Sequence, residues 1–181
     1  MIIEIPNYIN KQTIEEIKNS LHPYANKFTQ NVAFYRDGNT VPISKIDELK
    51  DLDNKLHDIF TRISYEIVGP RFAPKYKSCD TGYEYHVYHP NDICNIHSDG
   101  EISGGNKLRY ASVVLHLNTV EDGGELIFPN HNKKIKTEEG KVVVFPPSSS
   151  FLHYTTPSST PREVIVSWFA YEDIQITMQT N

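Results

Sequence analysis

The chain has 181 residues, enough for one domain around a single core, and a formal net charge of −5. That charge argues against a general nucleic-acid binder, which needs a concentrated basic surface. Two cysteines, Cys79 and Cys94, exclude a disulfide scaffold and lack the spacing of a zinc site. The apolar run in Met1-Ile2-Ile3-Glu4-Ile5-Pro6 is too short for a signal peptide, and no stretch approaches a membrane span. A soluble cytoplasmic protein with no membrane or nucleic-acid partner is expected.

Residues 1–75 read as mainly helical and 76–175 as mainly β, within a single domain covering 1–181. A first helix is predicted over about 11–21, with Ile14, Ile17 and Leu21 on one face and Pro23 as its stop. A longer helix is written by Ile46, Leu49, Leu52, Leu56, Ile59, Ile63 and Ile67, spaced every three or four residues. Ser44 with Asp47 resembles a capping box with Asp in place of Glu, and Gly69-Pro70 ends the run. Such an apolar stripe packs against a sheet.

The second half alternates strands with turns. Residues 81–89 are rich in Tyr and Val and stop at Pro90-Asn91-Asp92; residues 109–118 form a second run. Gly123-Gly124 turns into 125–129, and Lys133, Lys134 and Lys136 fall in a predicted hairpin loop. Gly140 opens 141–145, and 162–171 is a last β-rich run. Short strands at this spacing predict a sandwich or barrel.

The chemistry lies in His97-x-Asp99, answered by His153, with Arg162 following by 162 − 153 = 9 residues. In an extended segment His97 and Asp99 point to the same side, and Gly100 loosens the loop that brings them to a metal. Taken alone, the pair is weak evidence, and a lone His153 after 144–147 is more often an ordinary loop residue. Together, two imidazoles and one carboxylate on one face of a metal leave the opposite face open. That is the arrangement of non-haem Fe(II) oxygenases. Arg162 is placed to hold the carboxylate tail of a co-substrate; a solvated edge-strand Arg is the plain alternative. Arg162, Val164, Val166 and Trp168 share one strand face, so Trp168 either walls the same pocket or packs in a core. Cys94 reads as a small buried hydrophobe and not as a ligand.

Several segments are similar to the prolyl 4-hydroxylase branch of the 2-oxoglutarate-dependent Fe(II) dioxygenases, from about residue 83 to 171. They are Arg109-Tyr110-Ala111, Leu117-Asn118, Gly123-Gly124-Glu125-Leu126-Ile127-Phe128-Pro129, Gly140 before a β-run, His153, and Arg162 leading to Ser167-Trp168. The resemblance implies an α+β fold, a double-stranded β-helix (jelly roll) core with N-terminal helices packed on one sheet. It implies His97, Asp99 and His153 as iron ligands and Arg162 as partner of the 2-oxoglutarate C5 carboxylate. The implied cofactors are Fe(II), 2-oxoglutarate and O2, with ascorbate as a candidate reductant and succinate and CO2 as co-products. A proline-containing peptide or protein is the implied substrate, and the chain is expected as a monomer or weak dimer.

Tyr88 stands where that family often lines the co-substrate pocket. His116 stands where it commonly has a Tyr that helps hold the C5 carboxylate. A neutral ring there donates one hydrogen bond and a charged one adds an ion pair, so 2-oxoglutarate affinity is expected to rise on acidification. Substrate contacts are expected on loops 68–80 and 91–107, with Ser103, Gly104 and Gly105 as a lid. The alternatives are the same oxygenation of a free amino acid, another side chain or a nucleobase, a metal-free β-helix binding module, and a cupin-type enzyme without 2-oxoglutarate.

Overall fold

The computed structural model describes residues 1–25, 36–72, 78–103 and 106–175. Helix α1 (Lys11–Leu21) opens with Asn10, whose side chain accepts the Thr13 N–H at 2.9 Å. Its Ile14, Ile17 and Leu21 are fully buried. Pro23 does not end the turn at once, because a 3-10 turn over His22–Tyr24 accommodates it near its start, where no N–H is needed.

The predicted 46–67 stripe is present but broken into pieces. A 3-10 turn (Asp47–Leu49) leads into α2 (Lys50–Ile63), and a π turn (Ser64–Val68) passes into a short α3 (Gly69–Phe72). Gly69-Pro70 therefore does not terminate the run. Pro70 falls at the second residue of α3, directly after the π turn. The capping box does not form either. The Ser44 hydroxyl donates to Asp53 Oδ1 at 2.6 Å and accepts the Tyr83 N–H at 3.0 Å, tying α2 to the sheet beneath it.

The described residues hold eleven strands, in chain order β1 (Ile3–Ile5), β2 (Asn39–Pro42), β3 (Ser78–Asp80), β4 (Glu84–Tyr88), β5 (Cys94–His97), β6 (Lys107–His116), β7 (Leu126–Phe128), β8 (Lys133–Ile135), β9 (Val142–Phe145), β10 (His153–Thr155) and β11 (Arg162–Gln175). All pairings are antiparallel. The large sheet runs β1-β9-β6-β11-β4-β2 with β3 also beside β11, and the small sheet runs β5-β10-β7-β8. Two expectations are corrected here. The N-terminal segment contributes both outer strands of the large sheet, and Lys133 and Lys134 sit within a strand, paired with Phe128 and Ile127.

The large sheet is covered on both faces. Val142 and Val144 of β9 pack with the helices, while Val143 and Phe145 pack with Leu126, Phe128 and Ile135 of the small sheet. Strands buried on both sides read as continuous apolar runs, which is why β9 is Val-Val-Val-Phe without polar alternation. The result is the double-stranded β-helix with helices outside one sheet. No helix among the described residues is long and apolar enough to cross a membrane. Cys79 and Cys94 are free thiols. Of the expected lid, Ser103 is buried and accepts the Lys107 N–H at 3.0 Å, while Gly104 and Gly105 lie outside the described residues.

Leu56 is fully buried in the helix–sheet core. Leu56→Ala is expected to lower unfolding free energy by about 2–5 kcal/mol in chemical denaturation while leaving metal binding unchanged.

Candidate metal centre and its pocket

The segment around His97 is a strand and not the open loop expected, and His153 begins another. Strands β5 and β10 pair so that His97 and His153 are directly opposite one another, with ring centroids 4.3 Å apart. Asp99 follows β5 where the chain turns away, held by the Gly100 N–H bonded to the Pro147 carbonyl at 3.0 Å. Gly100 takes a φ of 77°, a left-handed conformation that glycine adopts without strain. Asp99 Oδ1 lies 3.5 Å from His97 Nε2 and 3.6 Å from His153 Nε2, and the three donor atoms fall within 4.8 Å of one another.

Both rings are aimed by the backbone. His97 Nδ1 faces the Asn95 carbonyl at 2.8 Å and His153 Nδ1 the Phe151 carbonyl at 3.0 Å. Carbonyls only accept, so each Nδ1 carries a hydrogen and each Nε2 is the atom turned to Asp99. Phe145 and Phe128 pack on the His153 ring at 4.8 and 5.5 Å between centroids. Burial, and less strongly the neighbouring His97, lowers the His153 pKa, while Asp99 works the other way. For His97, burial works against a charge, but hydrogen bonds to Asp99 and Cys94 outweigh it and lift the ring to about 10. Asp99 is held well below the usual carboxylate range: burial opposes this, and the His97 hydrogen bond and the His153 charge overcome it. A carboxylate that stays ionised beside two convergent imidazole nitrogens suits a divalent first-row metal.

These three side chains open on a cavity of about 320 Å³. Arg162, 3% exposed, lies at its closed end. Its Nε donates to Thr137 Oγ1 at 3.1 Å, the Thr137 hydroxyl donates to the Gly124 carbonyl at 2.7 Å, and the guanidinium lies 5.0 Å over the Tyr88 ring. The Gly123-Gly124 pair makes this possible. A Cβ on Gly123 would stand 2.0 Å from the Pro157 carbonyl oxygen, and one on Gly124 would stand 3.5 Å from Arg162 Cδ and 3.2 Å from Val120. Among the described residues no carboxylate pairs with Arg162. A cation buried without an anion is costly, so this guanidinium calls for a negative ligand.

The structure brings Tyr88, Cys94 and Trp168 to the same cavity as the triad and Arg162. Cys94 Sγ is 3.6 Å from His97 Nδ1, on the side of the ring away from Asp99, and stands outside the donor set. His116 is different. It is fully buried on the inward face of β6, beyond Val114 and outside the cavity lining, with neither ring nitrogen hydrogen-bonded among the described residues. Burial, then the charges of Arg162 and Lys141, push its pKa well below 6.5, against the protonation that the expected ion pair requires. Sequence reasoning missed Arg36, Glu84, His86, Arg109 and Thr137. Glu84 and His86 were detectable, since they alternate with Tyr88 on one strand face. Arg36 and Thr137 carry no local signal.

Two outcomes follow. Thr137→Val leaves Arg162 Nε and the Gly124 carbonyl unpaired and should cost about 1–3 kcal/mol in chemical denaturation, with Thr137→Ser close to wild type. His116 is neutral when folded but titrates near 6.5 when unfolded, so the unfolded chain binds the extra proton. Its contribution to stability is therefore constant above pH 6.5 and declines below it, by up to about 1.4 kcal/mol per pH unit. The stability difference between wild type and His116→Leu, measured at pH 7.5 and 5.5, should shift toward the variant at the lower pH.

Residues 83–170 match the family model described as the 2OG-Fe(II) oxygenase superfamily. No curated protein sequence matches the chain significantly. Among solved structures, a viral collagen prolyl hydroxylase from Paramecium Bursaria Chlorella virus-1, in complex with 2-oxoglutarate, superposes with a TM-score of 0.66 at 16% identity, covering 94% of this chain and 96% of that one. A Pseudomonas putida prolyl-4-hydroxylase gives 0.65 at 16% identity, covering 94% and 92%. A Trichoplax adhaerens prolyl hydroxylase, in complex with a peptide fragment of the hypoxia inducible factor oxygen degradation domain, gives 0.65 at 18% identity, covering 94% and 84%. At these identities the likeness establishes a common fold. The matched segment includes every cavity-lining residue but Arg36, and residues 83–170 are a 2OG-Fe(II) oxygenase domain, that of a 2-oxoglutarate-dependent dioxygenase.

Proposed function

We propose that this oxygenase hydroxylates a prolyl residue of a peptide or protein, with His97, Asp99 and His153 holding Fe(II) and Arg162 holding the C5 carboxylate of 2-oxoglutarate. The carrying observation is the pairing, in one cavity, of a convergent two-imidazole and carboxylate set with a buried guanidinium lacking a carboxylate partner among the described residues. Three protein ligands on one side leave room for a chelating co-substrate and dioxygen on the other. When bound, Fe(II) and 2-oxoglutarate supply the oxidative chemistry, in which one oxygen atom goes to succinate, with release of CO2, and the other to a substrate C–H bond.

The chain's own residues bind, orient and keep the site dry. Arg162, fixed by Thr137, takes the far carboxylate in a charge-assisted fork. Tyr88 stacks beneath that fork. Val114, Leu126, Phe145 and Val164 wall the space between Arg162 and the triad with hydrocarbon, which excludes water and strengthens every charge interaction inside. Proline is favoured over other targets because three solved relatives of the same fold are named prolyl hydroxylases, one of them with a peptide bound. A peptide or protein is accordingly the proposed partner.

Arg162→Met should weaken 2-oxoglutarate binding by roughly tenfold to a hundredfold in calorimetry, in line with about 1.5–3 kcal/mol for a charged hydrogen-bond pair, and leave metal affinity nearly unchanged. Succinate release measured over a panel of proline-containing peptides, with mass spectrometry for one added oxygen, tests the substrate class. A panel in which no peptide raises succinate release above the substrate-free rate would sink the prolyl assignment.

A further inference from the structure

The cavity has a second polar end. Tyr88 is in register with Arg162, and Glu84 with Val166. Glu84 thus lies four residues along β4 from the Arg162 end, roughly 13 Å at about 3.3 Å per residue. This end is open: the Glu84 side chain is 38% exposed, and Arg36, Arg109 and Trp168 are half-buried. His86 bridges two of these groups. Its Nε2 lies 2.9 Å from Glu84 Oε2, and Arg36 Nη1 lies against the ring, 2.9 Å from Nδ1 and 2.8 Å from Nε2. A carboxylate only accepts and a guanidinium only donates, so Nε2–H gives to Glu84 and Nδ1 receives from Arg36. Burial holds that ring neutral, with its pKa near 4.

Both guanidiniums have neutral groups among their partners. Arg36 Nη2 donates to Thr40 Oγ1 at 2.7 Å. Arg109 Nη1 donates to the Asp99 carbonyl at 3.0 Å, and its guanidinium lies 4.3 Å over the Trp168 ring. Glu84 is the acid whose charge both arginines feel. The chain has five arginines (Arg36, Arg62, Arg71, Arg109 and Arg162) against a net charge of −5, and three of the five line this one cavity.

We propose that the Arg36–Arg109 end receives a carboxylate belonging to the substrate, carried within one residue of the carbon that is hydroxylated. The proposal rests on the reading of Arg162 as the 2-oxoglutarate pole, since a co-substrate anchored at the closed end leaves the open end to the substrate. A guanidinium fork fits a carboxylate better than any neutral group, and the Trp168 ring beside it offers an apolar face for the adjoining carbons. An acidic residue next to a peptidyl proline presents this group, and so does the α-carboxylate of free proline.

Trp168 is the only tryptophan in the chain, so its fluorescence reports on this end of the cavity. Manganese-loaded protein saturated with 2-oxoglutarate is titrated with N-acetyl-Pro-Asp-amide against N-acetyl-Pro-Asn-amide, and with L-proline against L-prolinamide. The acidic member of one pair should bind at least about tenfold tighter, and the pair that shows it identifies the source of the carboxylate. Arg36→Met and Arg109→Met should each reduce that ratio toward one while retaining the affinity for the neutral probe, and Arg109→Lys should keep part of it. Equal affinities within both pairs overturn the proposal. So does a preference that survives in both methionine variants. Intact 2-oxoglutarate binding with no carboxylate preference refutes this inference alone, whereas a wild type that binds no 2-oxoglutarate refutes the oxygenase reading beneath it.

Discussion

The site depends on the antiparallel pairing of β5 with β10. That pairing sets His97 opposite His153, and neither ring can converge on a metal without it. The small sheet that carries it has only four strands, so its stability comes largely from the side chains it buries against the large sheet. Phe128 and Phe145 serve both ends, since they fill this inner core and also fix the His153 ring.

The large sheet can line a polar cavity because its other face is held by a separate apolar layer. Ile165 and Phe169 of β11 and Val113 and Leu115 of β6 pack on α1 and α2, while Arg162, Val164, Val166 and Trp168 of β11 turn inward. The helices are thus supports, and among the described residues they contribute no side chain to the cavity. Burying polar groups is tolerable only where they are paired. Arg162, Thr137 and the Gly124 carbonyl satisfy one another through a short chain of hydrogen bonds. His116 is one exception, a fully buried imidazole whose two nitrogens find no hydrogen-bond partner among the described residues, its pKa pushed down by burial and then by the same arginine.

Charge is distributed along the cavity in a definite order. A lone guanidinium closes one end, an ionised carboxylate with two imidazoles occupies the wall, and a mixed group of two guanidiniums, a carboxylate and a neutral imidazole stands at the opening. In a low-dielectric cavity these fields act over several ångströms with little screening. Such an order favours a dianion lying inward and a second anionic group behind it.

The sequence by itself determined the site's ingredients. His-x-Asp, a distal His and an Arg nine residues later are local patterns, and the spacing of Leu52, Leu56, Ile59 and Ile63 sufficed to find the main helix, because helical periodicity is a property of neighbouring residues. Tertiary structure decided what depends on distant partners. β1 and β2 are short edge strands that form because β9 and β4 offer them backbone groups to pair with. Ser44, with Asp47 three residues on, has a capping pattern, yet Asp53 and the Tyr83 amide claim its hydroxyl. The roles of Thr137 and Arg36 depend on contacts 25 and 50 residues away, with Arg162 and His86. No window of sequence contains both partners, and only the closing of the two sheets brings them together.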